Sequence, residues 1–149
     1  MKFVDLAPDV QFILDHCGVP DIRGGAFDTW SRDLAELARR PNVAGKLSGI
    51  VAYTDTDSWT LADIRPYAEH TINAFGFDCM VWGSDWPVCT LAGTLSTWVG
   101  ATQALLEGVS GRKGQVVERQ RQANLESGLA TLICKYWVSK SGLISSSAP

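Results

Sequence analysis

Residues 79–87 read CMVWGSDWP, a short apolar run that passes directly into a polar turn. The apolar part, CMVW, is too short for a helix and has the composition of a buried strand. The turn is bracketed by Gly83 and Pro87 and contains Asp85. This stretch therefore predicts a buried strand with a polar loop at its carboxyl end, as in a parallel α/β sheet.

Two comparable strands precede it in the chain. The segment 11–16, QFILDH, and the segment 43–48, VAGKLS, are short apolar runs closed by glycine or proline. Apolar residues at helical spacing predict helices over about 29–40, 60–75 and 94–107. Strands that alternate with helices of this length indicate right-handed crossovers and a parallel sheet. The fold class is therefore predicted to be α/β.

The helix starts are also predicted from local residue types. Asp28 or Thr29 is expected to cap the first of these helices. Thr60 and Asp63 have the spacing of a capping box, with Asp in place of the usual Glu or Gln. Pro66 is expected in the first turn of the main helix that follows.

The composition limits the classes of function. The chain has 149 residues, 46% of them hydrophobic and 19% charged, which fits one globular domain. A net charge of −3 with a pI near 5.3 predicts no nucleic-acid partner. No apolar run of about 18 residues suggests a membrane span, and the start does not resemble a secretory signal. The four widely spaced cysteines suggest reduced thiols, and so a cytoplasmic location.

Candidate site residues follow from one rule, that reacting groups in parallel α/β folds stand at the carboxyl ends of the strands. The rule selects Asp15 and His16 after the first strand, Lys46 and Ser48 at the second, and Ser84, Asp85 and Trp86 after the third. Asp85 could act as a general base toward water, and His16 could ligate a metal or polarise a carbonyl. Lys46 could contact a substrate anion, Ser48 stands beside it, and Trp86 is expected to form a pocket wall.

Each of these residues also has a structural interpretation. His16 could be a hydrogen-bonded core histidine, and Asp85 could cap the following loop. Lys46 could pair with a neighbouring Asp or Glu, since an ammonium in an apolar strand needs an anion. Asp15 is expected to point to the face opposite His16, because side chains alternate along a strand.

Three motifs carry a resemblance to a known family. They are ILDHCGVP (13–20), NVAGKLSGI (42–50) and VWGSDWPVCTLAG (81–93). In this order they resemble the amidohydrolase-related TIM-barrel hydrolases, in the branch that includes L-fuconolactonase. The similarity runs from about residue 10 to residue 108.

The resemblance implies that residues 1–110 are the last three βα units of a (β/α)8 TIM barrel with parallel strands. It implies a hydrolase of sugar lactones with His16 and Asp85 as catalytic residues. These two could also hold a divalent metal such as zinc, although the reaction could be metal-independent. The family's N-terminal H-x-H pair is absent, so the partner implied is the missing N-terminal half of the barrel. The alternatives are a pyrone-dicarboxylate hydrolase, a decarboxylase of the same superfamily, or a non-catalytic partial domain.

The segment 111–149 differs from the rest of the chain. It is polar as far as about residue 122, then apolar, and ends in SKSGLISSSAP. The family's Asn-Ala pair appears here in reversed order as Ala123-Asn124. The segment is predicted to be an atypical C-terminal helix or tail, either leaving the barrel or foreign to it.

Overall fold

The structure is a computed structural model, and it describes residues 2–107. The predicted C-terminal segment 111–149 lies outside the described residues. Among the described helices, none is long and apolar enough to cross a membrane.

The described residues contain one sheet of three parallel strands. Strand β1 spans Phe12–Leu14, β2 spans Val43–Leu47 and β3 spans Met80–Trp82, in the spatial order β1-β2-β3. In the register of the second pair, Lys46 lies opposite Val81. The prediction of an α/β fold with parallel strands is confirmed.

Each connection between neighbouring strands contains a helix, because parallel strands are joined by crossover connections that are usually helical. Helix α1 precedes β1, α2 connects β1 to β2, α3 connects β2 to β3, and α4 follows β3. Their bounds are Lys2–Leu6, Phe27–Ala38, Leu61–Phe75 and Leu95–Leu106. Short 3₁₀ turns occur at Asp15–Gly18, Ile50–Tyr53, Phe77–Cys79 and Val88–Ala92.

Helix α2 begins two residues earlier than predicted. Its N-cap is Ala26, and no side chain caps the first turn. The prediction that Asp28 or Thr29 caps this helix is therefore wrong, since both lie inside the first turn. Asp28 remains favourable there, because a carboxylate near a helix N-terminus interacts well with the helix dipole.

The predicted capping box at the start of α3 is present. Both the backbone N–H and the hydroxyl of Thr60 donate to Oδ2 of Asp63, each at 2.7 Å. Because the helix begins directly after Thr60, Pro66 lies in its second turn and not in its first.

The core lies between the sheet and the helices. A larger cluster joins the 3₁₀ turn after β2 to α3 and α4, with Ile50, Ile64 and Trp98 almost completely buried. A smaller cluster packs α2 and the end of α3 against the start of β2 through Leu34, Val43 and Phe75. These contacts hold the helices against the sheet. The carboxyl ends of the strands are therefore bordered by loops.

Candidate functional site

Four of the predicted site residues come from three strand ends and meet at one edge of the sheet. His16 follows β1, Lys46 and Ser48 lie at the end of β2, and Asp85 follows β3. Parallel strands place their carboxyl ends on the same edge, so these side chains converge although they are far apart in sequence.

His16 lies at the centre of this group. Its Nδ1 is 3.0 Å from the hydroxyl of Ser48 and 3.7 Å from Oδ1 of Asp85. Its Nε2 is 3.3 Å from Oδ2 of Asp15. The imidazole therefore has a polar neighbour at each ring nitrogen, with carboxylates on both sides. The Asp85 side chain is 13% exposed, and Ser48 is fully buried.

Lys46 forms an ion pair with Asp15, with 2.8 Å between Nζ and Oδ1. Of the two partners expected for this ammonium, a neighbouring carboxylate is the one present. An ammonium has three donors, and the contact with Asp15 uses one of them. Within residues 2–107 the other two have no side-chain partner, so they are available to a ligand or to water.

Sequence reasoning found Asp15 at the strand end but assigned it to the loop and not to the site. The expectation that it points away from His16 is wrong, because the strand ends at Leu14. His16 and Cys17 then adopt left-handed φ values of 49° and 53°, so the alternation of side chains along a strand no longer applies. The nearby Gly18 and Pro20 signalled an early turn, but they did not give its direction.

The Asp15 carboxyl is kept in its ionised form by its cationic neighbours. Burial by itself would raise its pKa, but the hydrogen bond from Lys46 and the positive charges of His16 and Lys46 outweigh that effect. The pKa of Asp15 therefore lies below its ordinary value of 3.8. The site thus contains a row of three contacts, from Lys46 to Asp15 at 2.8 Å, from Asp15 to His16 at 3.3 Å and from His16 to Asp85 at 3.7 Å.

Two glycines allow the polar side chains to pack closely. A Cβ atom at Gly49, whose φ is +67°, would lie 2.6 Å from Nδ1 of His16 and 3.0 Å from Oδ2 of Asp85. A Cβ atom at Gly83 would lie 2.7 Å from Cε of Lys46. Any larger residue at either position would displace a site side chain, so both glycines belong to the site. Sequence reasoning assigned neither of them to it.

The backbone at this edge is strained. Among residues 2–107, the non-glycine residues with positive φ are His16, Cys17, Val19 and Asp85. Left-handed conformations are unfavourable for residues with a Cβ, and they persist only when the surroundings hold them. The indole of Trp30 provides such support, since its N–H donates to the carbonyl of Cys17 at 2.8 Å.

Cys17 lies beside the site, but it is not suited to nucleophilic chemistry. It is fully buried and its thiol donates to the carbonyl of Lys46 at 3.4 Å. Burial raises the pKa of the Cys17 thiol to about 11, so the thiolate is scarce at neutral pH. Its role is to pack the strained turn against β2.

Trp86, the predicted pocket wall, lies at the rim of the site. It follows Asp85 directly and is 68% exposed, with its backbone N–H 3.3 Å from the hydroxyl of Ser84. Trp59, in the loop before α3, instead donates its indole N–H to the carbonyl of Ala92 at 2.6 Å and so closes a loop. Trp86 is thus the aromatic ring beside Asp85 that faces outward.

The described residues do not by themselves fit a metal ion. Within residues 2–107, no group of three or more His, Cys, Asp or Glu side chains is arranged to hold one. His16 and Asp85 offer two ligand types that zinc uses, but Nδ1 of His16 is already engaged by Ser48. A zinc ion at this edge would need further ligands from outside the described residues.

Comparison with curated proteins finds lactonases. The chain is 36% identical to L-fucono-1,5-lactonase of Burkholderia ambifaria over 94 residues, which cover 62% of this chain and 32% of that protein. It is 36% identical to L-fucono-1,5-lactonase of Burkholderia multivorans over 104 residues, covering 57% of this chain and 35% of that protein. The chain thus spans about a third of the length of these relatives.

Comparison with solved structures finds amidohydrolases. The chain superposes on a crystal structure of an amidohydrolase from Burkholderia multivorans with bound zinc, with a TM-score of 0.74 and 28% identity. The match covers 83% of this chain and 46% of that chain. The predicted fold, three βα units of a TIM barrel with parallel strands, is confirmed.

A family model also matches most of the chain. The model described as Amidohydrolase matches residues 2–122, which include every site residue named above. The resemblance inferred from the three motifs is therefore confirmed. The chain belongs to the amidohydrolase family.

Proposed function

We propose that the described residues form part of the active site of a hydrolase that opens a cyclic ester, with a sugar lactone such as L-fucono-1,5-lactone as substrate. The observation that carries this proposal is the position of Asp85, whose carboxylate lies 3.7 Å from His16 at the carboxyl edge of the sheet. The lactonase relatives support the choice of substrate class.

Asp85 acts as the general base in this mechanism. Its side chain is 13% exposed, so the carboxylate is largely shielded but still open to solvent water. It accepts a proton from that water, and the oxygen attacks the lactone carbonyl to form a tetrahedral intermediate. Collapse of the intermediate breaks the ring C–O bond, and the proton that Asp85 took from water passes to the leaving oxygen, which yields the hydroxy acid and regenerates the Asp85 carboxylate.

Lys46 stabilises the negative charge that develops on the carbonyl oxygen, and His16 orients the Asp85 carboxylate that lies 3.7 Å from its Nδ1. Two of the three Lys46 donors are not used by Asp15, and Lys46 lies on the same edge as His16. Preorganised donors of this kind are worth roughly 10²- to 10³-fold in kcat. Ser48 holds Nδ1 of His16 in place, and the exposed ring of Trp86 offers a surface for the sugar.

A divalent metal at His16 and Asp85 stays a prediction. The amidohydrolase from Burkholderia multivorans was crystallised with zinc, and such an ion would polarise the carbonyl when bound. Because the described residues lack a sufficient ligand group, the steps above use only the chain's own side chains. The cytoplasmic location also stays a prediction.

The test is Asp85→Asn in the protein encoded by the complete reading frame. We expect lactone hydrolysis to fall by about 10²- to 10⁴-fold, because the general base is lost while the shape of the side chain is kept. Proton release from L-fucono-1,5-lactone measures the rate, and circular dichroism measures the fold. Asp9→Asn is the matched control, since Asp9 is exposed and precedes β1 at the opposite end of the sheet.

Two results would contradict the proposal. Full activity of Asp85→Asn would remove Asp85 from the reaction. Turnover of a pyrone dicarboxylate without turnover of any sugar lactone would shift the substrate to the alternative branch.

A second candidate, a non-catalytic partial domain, has one observation in its favour. Ile13, in the middle of β1, is 44% exposed, and within the described part of the chain β1 pairs with β2 alone. An exposed apolar strand edge favours association with further strands. On this reading the 149-residue chain alone gives no lactone turnover and aggregates during size-exclusion chromatography. A soluble, active monomer would argue against it.

A further inference from the structure

We propose that Asp15 is a positioning residue that holds Lys46 and His16 in a fixed arrangement toward the substrate. The effect of Asp15 on turnover rests on the proposed function. Its effect on the position of the His16 ring can be tested without a substrate. Asp15 itself acts through its two neighbours and not on the reacting atoms.

The first argument is the way the two oxygens of this carboxylate are used. Oδ1 contacts Nζ of Lys46 at 2.8 Å and accepts the backbone N–H of His16 at 3.2 Å. Oδ2 lies 3.3 Å from Nε2 of His16. An ionised carboxylate can accept about four hydrogen bonds, so a single side chain can serve both neighbours. Lys46 and His16 are thereby tied to one rigid group.

The second argument is that each of the two neighbours loses a restraint when Asp15 is removed. A lysine side chain has four rotatable bonds, and its ammonium needs a fixed partner to define its position. The His16 ring is restrained at Nδ1 by Ser48 and at Nε2 by Asp15, so both of its nitrogens have a defined neighbour. Removing Asp15 releases one nitrogen of the ring and the ammonium together.

The third argument concerns exposure. The Asp15 side chain is 55% exposed and that of Lys46 is 29% exposed. Ion pairs this open to water contribute little to folding stability, because solvent screens them. The consequence of the pair is therefore expected in the geometry of the site and in turnover, with little effect on the unfolding midpoint.

The direct test is ¹⁵N NMR of the histidine rings in Asp15→Asn and Asp15→Glu. The described residues contain two histidines, His16 and His70, and His16→Gln and His70→Gln identify their signals in the spectrum. We expect the ring shifts of His16 to change in Asp15→Asn and to return toward the parent values in Asp15→Glu. Those of His70, whose Nε2 contacts the carbonyl of Ser31, should stay unchanged. Unchanged His16 shifts in Asp15→Asn would overturn the proposal.

The kinetic test separates this proposal from the proposed function. Residues that orient a reacting group typically change activity by about 10- to 100-fold when removed. We expect Asp15→Asn to lower kcat for lactone hydrolysis by this amount, with KM changed less than about threefold and partial recovery in Asp15→Glu. Asp9→Asn should match the parent.

The possible outcomes are distinct. Parent-like kcat in Asp15→Asn would overturn the positioning role even if the parent is a lactonase. If the parent hydrolyses no lactone but the His16 shifts still respond to Asp15→Asn, the proposed substrate fails and the positioning of His16 is supported.

Discussion

Helices α2 to α4 follow ordinary local rules, whereas the carboxyl edge of the sheet departs from them. No residue of these three helices has a positive φ, and two of them begin with a capping box, Thr60 with Asp63 and Thr94 with Thr97. The edge carries the left-handed His16 and Asp85, fixed charges and closely packed glycines. Local stability and local strain are thus concentrated in different parts of the described chain.

The two regions are connected by tryptophan indoles. Trp30 of α2 donates to the carbonyl of Cys17, and Trp98 of α4 donates to the carbonyl of Gly83 at 3.0 Å. Each bond holds the backbone beside a site residue, His16 in one case and Asp85 in the other. The comparison teaches that the packed layer supplies the restraint that the strained edge requires.

The largest expected effect comes from breaking the layer at Trp98. This residue is 1% exposed, and its ring stacks on Trp82 with centroids 6.3 Å apart. Trp98→Ala should lower the free energy of unfolding by about 3–5 kcal/mol, because it leaves a large cavity and an unpaired carbonyl. Urea denaturation measures the change.

Leu95→Ala is the control for Trp98→Ala on the same helix. Leu95 is 41% exposed, and its truncation should change the free energy of unfolding by less than about 1 kcal/mol. If the two substitutions lower the free energy of unfolding equally, the buried contacts of Trp98 do not stabilise the fold as proposed.

A smaller effect is expected from Gly49→Ala, which acts on the edge. The new Cβ would meet His16 and Asp85, and φ at Gly49 is +67°. We expect a loss of about 1–2 kcal/mol from the left-handed backbone alone, together with displaced His16 ring signals. Gly100→Ala in α4 is the matched control, since nothing lies within 4 Å of its Cβ position. Gly100→Ala should raise the free energy of unfolding by about 0.5–1 kcal/mol. If both substitutions change the free energy of unfolding in the same direction, the distinction between the helices and the edge is wrong.

The smallest effect concerns the capping box of α3 and its dependence on pH. Hydrogen bonds from the hydroxyl and the backbone N–H of Thr60 hold the pKa of Asp63 below its ordinary value of 3.8. Because this pKa is lowered in the folded state, its stabilising contribution is present above pH 3.8 and lost as the pH falls through the lowered value. Asp63→Asn should therefore be less stable than the parent at neutral pH and approach it in acid.

Thermal unfolding of the parent and Asp63→Asn between pH 2 and pH 7 checks this expectation, since Asn cannot titrate in that range. A difference between the two proteins that stays constant over the range would contradict it. Such a constant difference would assign the effect to helix propensity and not to the ionised carboxylate.

Much of the fold could be predicted because it depends on local patterns. The apolar runs before Asp15, in VAGKL and in MVW determined three strands, and the Thr60–Asp63 spacing determined the start of α3. Element ends were less certain, as the early start of α2 shows, because no side chain marks its N-cap. The strand-end rule also named His16, Lys46, Ser48 and Asp85, since parallel strands bring their carboxyl ends together whatever lies between them.

The sequence by itself determined the order of the elements and the residues at the strand ends, because periodicity and spacing are properties of neighbouring residues. Only the tertiary structure decided that Asp15 turns toward Lys46, that Gly49 must lack a Cβ, and that indoles from α2 and α4 hold the strained edge. These features depend on the direction of a turn and on contacts between residues distant in sequence. No local pattern encodes them, because each is set by the packing of one element on another.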